Sequence, residues 1–155
     1  MVYAVSMSLL SLTIVVFFGL ARGSYASFGT AQVVLRVLVA LPLLVSGVLL
    51  HFFHARVTAG IIPSVFPARL FLAVFTGICE VAGAIGLFVP RVRRAAAFWI
   101  SIMMVAIFPA NIYSAGKVIE GFRFPGMHVR LAMQVVYILF VLLAGYGLPR
   151  RASRR

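Results

Sequence analysis

"FTGICEVAG", Phe75–Gly83, places a carboxylate, Glu80, inside a run of side chains that otherwise suit oil. The chain of 155 residues has only two acidic side chains, so this one is not surface decoration. Residues three and four positions away on a helix share a face. For Glu80 those are Thr76, Gly77, Gly83 and Ala84, with Ala73 one turn further. A face of small residues is where membrane helices approach closely. Glu80 is therefore expected to point into a helix bundle, uncharged or hydrogen-bonded. An ionisable group at that depth marks a functional site by default. The other reading is a packing residue that hydrogen-bonds a neighbouring helix.

The rest of the chain agrees with that setting. Apolar residues make up 64% of it and charged residues 10%. A soluble domain carries roughly 25% charged residues, so this chain cannot cover itself against water. A bilayer is the solvent it suits. The net charge of +12 does not indicate nucleic acid. The basic residues form no continuous stripe. They punctuate the apolar runs, as at the loop ends of a membrane protein, and a basic tail at residues 149–155 can touch anionic lipid. Cys79 is the only cysteine, which excludes an internal disulfide and a CxxC pair.

A spanning helix needs about 20 mostly apolar residues. Four segments qualify: Leu35 to Phe53, Phe66 to Val89, Arg94 to Ala115 and Val129 to Leu148. A fifth, Met1 to Ala21, is equally apolar and lacks the basic start of a cleaved signal peptide. The expected fold is all-α: one polytopic bundle of four core spans, with an extra N-terminal helix and link over residues 1–34. With five spans, Arg22, Arg36, Arg91, Arg93, Arg94, Arg150, Arg151, Arg154 and Arg155 share one side. Arg56, Arg69, Lys117, Arg123 and Arg130 share the other. The richer side is expected to be cytoplasmic, or matrix, with the C-terminus on it.

The spans carry few polar groups. The first has His51 and His54 in "HFFH"; two histidines are weak evidence for a metal, and no metal site is assigned. His51 is expected to hydrogen-bond inside the bundle and His54 to meet water. In "IFPANIYSAG", Pro109 removes a backbone donor and kinks the helix. Such a break persists in a membrane only where other groups compensate, and Asn111 is placed to do so. Arg130, Gln134 and Tyr137 follow on the last span. At 1.5 Å per residue, His51, Asn111 and Gln134 fall in an outer layer, and Glu80, Tyr137 and Ser46 near the midplane. The expected ligand-binding set is His51, Glu80, Asn111, Gln134 and Tyr137. No sequence motif supplies a nucleophile beside a base, and no catalytic residue is assigned.

The order "SGVLLHFF", "IIPSVFP", "TGICEVAGAIGLFVPRVRRAA", "FPANIYSA" and "RLAMQ" resembles the DoxX-like family of small four-helix membrane proteins. The resemblance covers residues 35–148; the apolar segment 1–34 and His54 depart from it. It implies association with quinone-linked membrane oxidoreductases, and it carries over His51, Glu80, Pro109, Asn111 and Gln134 as polar positions. The expectation is a small membrane subunit or accessory of a respiratory electron-transfer complex. It would have no catalytic activity or cofactor of its own, and a polar pocket for a quinone or lipid head group. Its partners would be the lipid bilayer and larger oxidoreductase subunits. Two alternatives stay open: a stand-alone quinone oxidoreductase, and a small proton-coupled transporter or cargo binder.

Overall fold

A computed structural model describes residues 28–147. The expected N-terminal helix at residues 1–21 and the basic tail lie outside the described residues. Among the described residues, four helices are long and apolar enough to cross a membrane: Gly29–Phe53, Arg69–Gly86, Arg93–Ser114 and Met127–Tyr146. The protein is an integral membrane helix bundle.

The first span is α1 (Phe28–Val45), which runs on as a π-helix, π1 (Ser46–Phe53). A short helix α2 (Ala55–Ile61) leads to the second span, α3 (Arg69–Gly86). The third span has two pieces, α4 (Arg93–Ala106) and α5 (Phe108–Ser114), and the fourth is α6 (Met127–Tyr146). Helix α4 packs mainly on α6, π1 packs on α3, and α1 touches both α3 and α6. A core of Leu35, Val39, Leu43, Leu87, Ile100 and Val141 lies where they meet. At most 28% of any span's apolar window is buried within the chain. Large apolar side chains such as Phe53, Phe71 and Trp99 face outward. Lipid, or a partner in lipid, must cover them, because water would not.

Two differences from the sequence reading have physical causes. The first span starts earlier than Leu35. Gln32 falls in the expected link and Arg36 one residue into the expected span, yet both lie well inside α1. The Gln32 amide donates to the carbonyls of Leu143 and Ala144, at 2.9 Å each, and Arg36 Nε donates to Ala144 O at 3.2 Å. They serve the last-turn carbonyls of α6, where intrahelical donors run out: Leu143 O also accepts from the Gly147 N–H at 3.0 Å, and Ala144 O takes both side chains. The link after the third span also departs from the all-α expectation. It folds back as a hairpin of β1 (Val118–Ile119) and β2 (Phe122–Arg123). Its two turn residues, Glu120 and Gly121, have φ of 49° and 78°. Two successive positive φ values make the type I′ turn that suits the strand twist.

The helix order places the loop before α3 and the loop after it on opposite sides of the membrane. Single cysteines at Ser64 and Arg91, in a Cys79→Ser background, should label with an impermeant thiol reagent from opposite sides. Labelling of both from one side would overturn the topology.

Candidate functional site

Among the described residues, the ionisable side chain least exposed to solvent is Glu80, 4% exposed on α3. Its neighbours come from π1. The Ser46 hydroxyl donates to Glu80 Oε2. His51 Nε2 faces Glu80 Oε1 at 3.7 Å, while His51 Nδ1 lies 2.5 Å from the Ala73 carbonyl. That carbonyl can only accept, so Nδ1 carries the hydrogen. In a neutral ring, Nε2 is then the bare nitrogen, turned toward the carboxyl group. The pair can hold one proton on either partner: carboxylic acid with imidazole, or carboxylate with imidazolium.

The winding of π1 brings Ser46 and His51 to one carboxylate. At about 100° per residue, positions five apart on an α-helix point roughly 140° away from each other. In a π-helix the hydrogen bonds run from i to i+5, which brings such positions nearly into line. An α-helical stripe groups Gly47 with His51 and puts Ser46 off to one side. The structure adds Ser46 to the site, and the only sequence signal for it was a hydroxyl at midplane depth.

Two glycines let π1 and α3 come close enough. A Cβ built on Gly47 would lie 3.0 Å from Gly77 O, and one built on Gly77 would lie 3.0 Å from Gly47 O and 2.3 Å from His51 Cβ. The backbones touch directly, in the manner of small-residue membrane interfaces.

Two other candidate residues, Asn111 and Gln134, form a second cluster, between α5 and α6. Asn111 Nδ2 donates to Gln134 Oε1 at 2.9 Å, and Gln134 Nε2 donates to Met104 O at 2.8 Å. Arg130 Nη1 reaches Asn111 Oδ1 at 2.7 Å, Ser114 Oγ at 2.9 Å and Asn111 O at 3.2 Å. The Met104 carbonyl belongs to the last turn before the helix breaks at Ile107, ahead of Pro109. So Asn111 and Gln134 brace the kink that Pro109 imposes.

The layering expected from depth alone is thus rearranged. His51 joins Glu80 rather than Asn111 and Gln134. Tyr137 does not hydrogen-bond Glu80. Its hydroxyl donates to Val39 O at 2.5 Å, in the turn of α1 that Pro42 disturbs by lacking an N–H. His54 is exposed, with Nδ1 2.9 Å from Leu49 O and its ring edge-to-face with Phe122. Among the described residues, no three His, Cys, Asp or Glu side chains gather as a metal site.

Fold and site together define a small membrane helix bundle, with four spans among the described residues and a buried acid–imidazole pair. Residues 38–144 match the model of a family described as a domain of unknown function, DUF8561. That match spans well over half of the chain, and the protein belongs to this family. No curated protein and no solved structure matches it.

Proposed function

We propose that this protein is a small membrane subunit of a quinone-linked electron-transfer complex, and that Ser46, His51 and Glu80 receive a quinone or lipid head group. The DoxX-like order of motifs supports the quinone link. The His51–Glu80 pair carries the site assignment. Its two facing atoms, 3.7 Å apart, are beyond hydrogen-bonding range of each other. A single ligand oxygen about 2.8 Å from each would bridge them. The pair can give or take the proton that a reacting quinone oxygen requires, and the apolar walls would supply most of the affinity. Both side chains are buried, so entry requires π1 and α3 to part beside Gly47 and Gly77.

In this reading the redox centre belongs to the partner. The outward apolar faces are where larger subunits would pack. The C-terminus lies on the cytoplasmic or matrix side of a bacterial plasma membrane or mitochondrial inner membrane. That orientation rests on Arg22 and the four arginines of the tail, because the described residues alone divide almost evenly.

Purification in mild detergent should bring oxidoreductase subunits with the protein; a protein that always emerges alone would remove the subunit assignment. Binding of a quinone analogue tests the site. One net hydrogen bond is worth about 0.5–1.5 kcal/mol, so Glu80→Ala should weaken binding by roughly 2- to 12-fold. Glu80→Gln keeps a donor and should lose less. If both variants bind as the parent does, Glu80 is a packing residue.

A further inference from the structure

The opposite end of the bundle holds a feature that the quinone reading does not use. Beside the middle of α1, where α3 ends, α4 begins and α6 ends, a cleft of about 400 Å³ opens. Arg36, Arg91, Arg93 and Arg94 line it, with Pro90 and Tyr146 at its walls. Arg36 and Arg93 face the same cleft from two different spans. Each is tethered through Nε, Arg36 to Ala144 O and Arg93 to Leu87 O at 2.9 Å. They come from different spans, so the fold itself gathers like charges.

Nothing acidic in the chain can balance them. Its two carboxylate side chains are Glu80, inside the bundle, and Glu120, in the hairpin turn that follows the third span. Helix α4 starts at the cleft with no acidic residue in its first turn, so the positive end of its dipole adds to the same field. Four guanidinium groups around one cleft, with no carboxylate beside them, favour an anion from outside the chain. Guanidinium forks match phosphate oxygens in shape and charge.

We infer that the cleft lined by Arg36, Arg91, Arg93 and Arg94 is a binding site for a phosphate-bearing anion at the membrane face. A phospholipid head group and a free phosphate or diphosphate share that chemistry. The site is independent of the Glu80 cluster.

The full chain in zwitterionic detergent provides the test. Phosphatidylglycerol and inorganic pyrophosphate would be titrated separately, with thermal unfolding and native mass spectrometry as readouts. The parent should gain stability and retain the anion, and the effect should fade as salt is raised. Arg91 and Arg94 are exposed, so Arg91→Gln with Arg94→Gln should fold as the parent does. At about fivefold per basic residue near an anionic surface, the pair should bind roughly 30-fold more weakly. Arg56→Gln with Arg123→Gln removes the same charge from the other face and should change nothing.

A response to phosphatidylglycerol alone identifies a lipid head group, and a response to pyrophosphate as well identifies a soluble phosphate as a ligand; both support the site. No response to either would overturn it. So would binding that ignores salt, or an equal loss in the Arg56 and Arg123 control.

Discussion

Gly77→Leu should part the first two spans, with loss of stability of about 3 kcal/mol or more, at or above the upper range for overpacking a tight core. The size follows from what the new side chain would meet. Its Cβ would fall 2.3 Å from His51 Cβ and 3.0 Å from the Gly47 carbonyl. Neither obstacle is the free end of a flexible side chain. One is the stem of a residue already held by the Ala73 carbonyl, and the other is backbone. The helices must separate, and the separation draws Ser46 and His51 away from Glu80. Gly83 makes the contrast. A Cβ there meets Ile100 Cγ1 at 2.6 Å and Cδ1 at 2.9 Å, atoms that a rotamer change can move. Unfolding in a denaturing detergent should therefore rank Gly77→Ala below Gly83→Ala in stability. Equal stability of Gly77→Leu and the parent would mean that the direct backbone contact between π1 and α3 does not exist in the membrane.

That contact also shows how far the sequence could be read. The spans were legible because length and apolarity are averages over about 20 residues, and a few polar residues do not disturb them. Glu80 was legible as an inward group because its neighbours three and four positions away are small. Pro109 was legible as a break because proline lacks the donor that any helix needs at that position. What escaped depends on geometry that periodicity assumes rather than measures. Ser46 and His51 are five apart, and only a change from α to π winding turns both toward Glu80. Gln32 falls in the expected link and Arg36 at the very start of the expected span, because a charge in an apolar run usually marks its end. Their partners are carbonyls more than a hundred positions away, and no local pattern encodes those. The Glu120–Gly121 turn was hidden for a different reason: each strand is two residues long, too short for any alternation to show.

Replacement of Arg130 should have the second large effect, because that side chain orients everything that braces the third span. The order of donors is fixed from one end to the other. Arg130 can only donate, so Asn111 must present Oδ1 to it and turn Nδ2 toward Gln134. Gln134 then presents Oε1 to Asn111 and its amide to the Met104 carbonyl, beside the break. The guanidinium also lies over the Phe124 ring, 5.0 Å from its centre, which adds a cation–π attraction. Arg130→Met keeps much of the apolar stem but removes the source of this direction. Hydrogen bonds to a charged group contribute about 1.5–3 kcal/mol each. Three acceptors share one nitrogen here, and hydrogen bonds between membrane helices average only about 0.6 kcal/mol. A total loss of roughly 2–3 kcal/mol is therefore expected rather than three full bonds. Arg130→Lys keeps the charge and should recover only part of it, since an ammonium lacks the planar fork. The decisive measurement is the cycle of Arg130→Met with Asn111→Leu. If the two act through one chain of hydrogen bonds, the double variant should lose clearly less than the sum of the single losses. Strict additivity would show that Arg130 acts as an isolated charge near the membrane surface, and that Asn111 and Gln134 hold the Pro109 break without it.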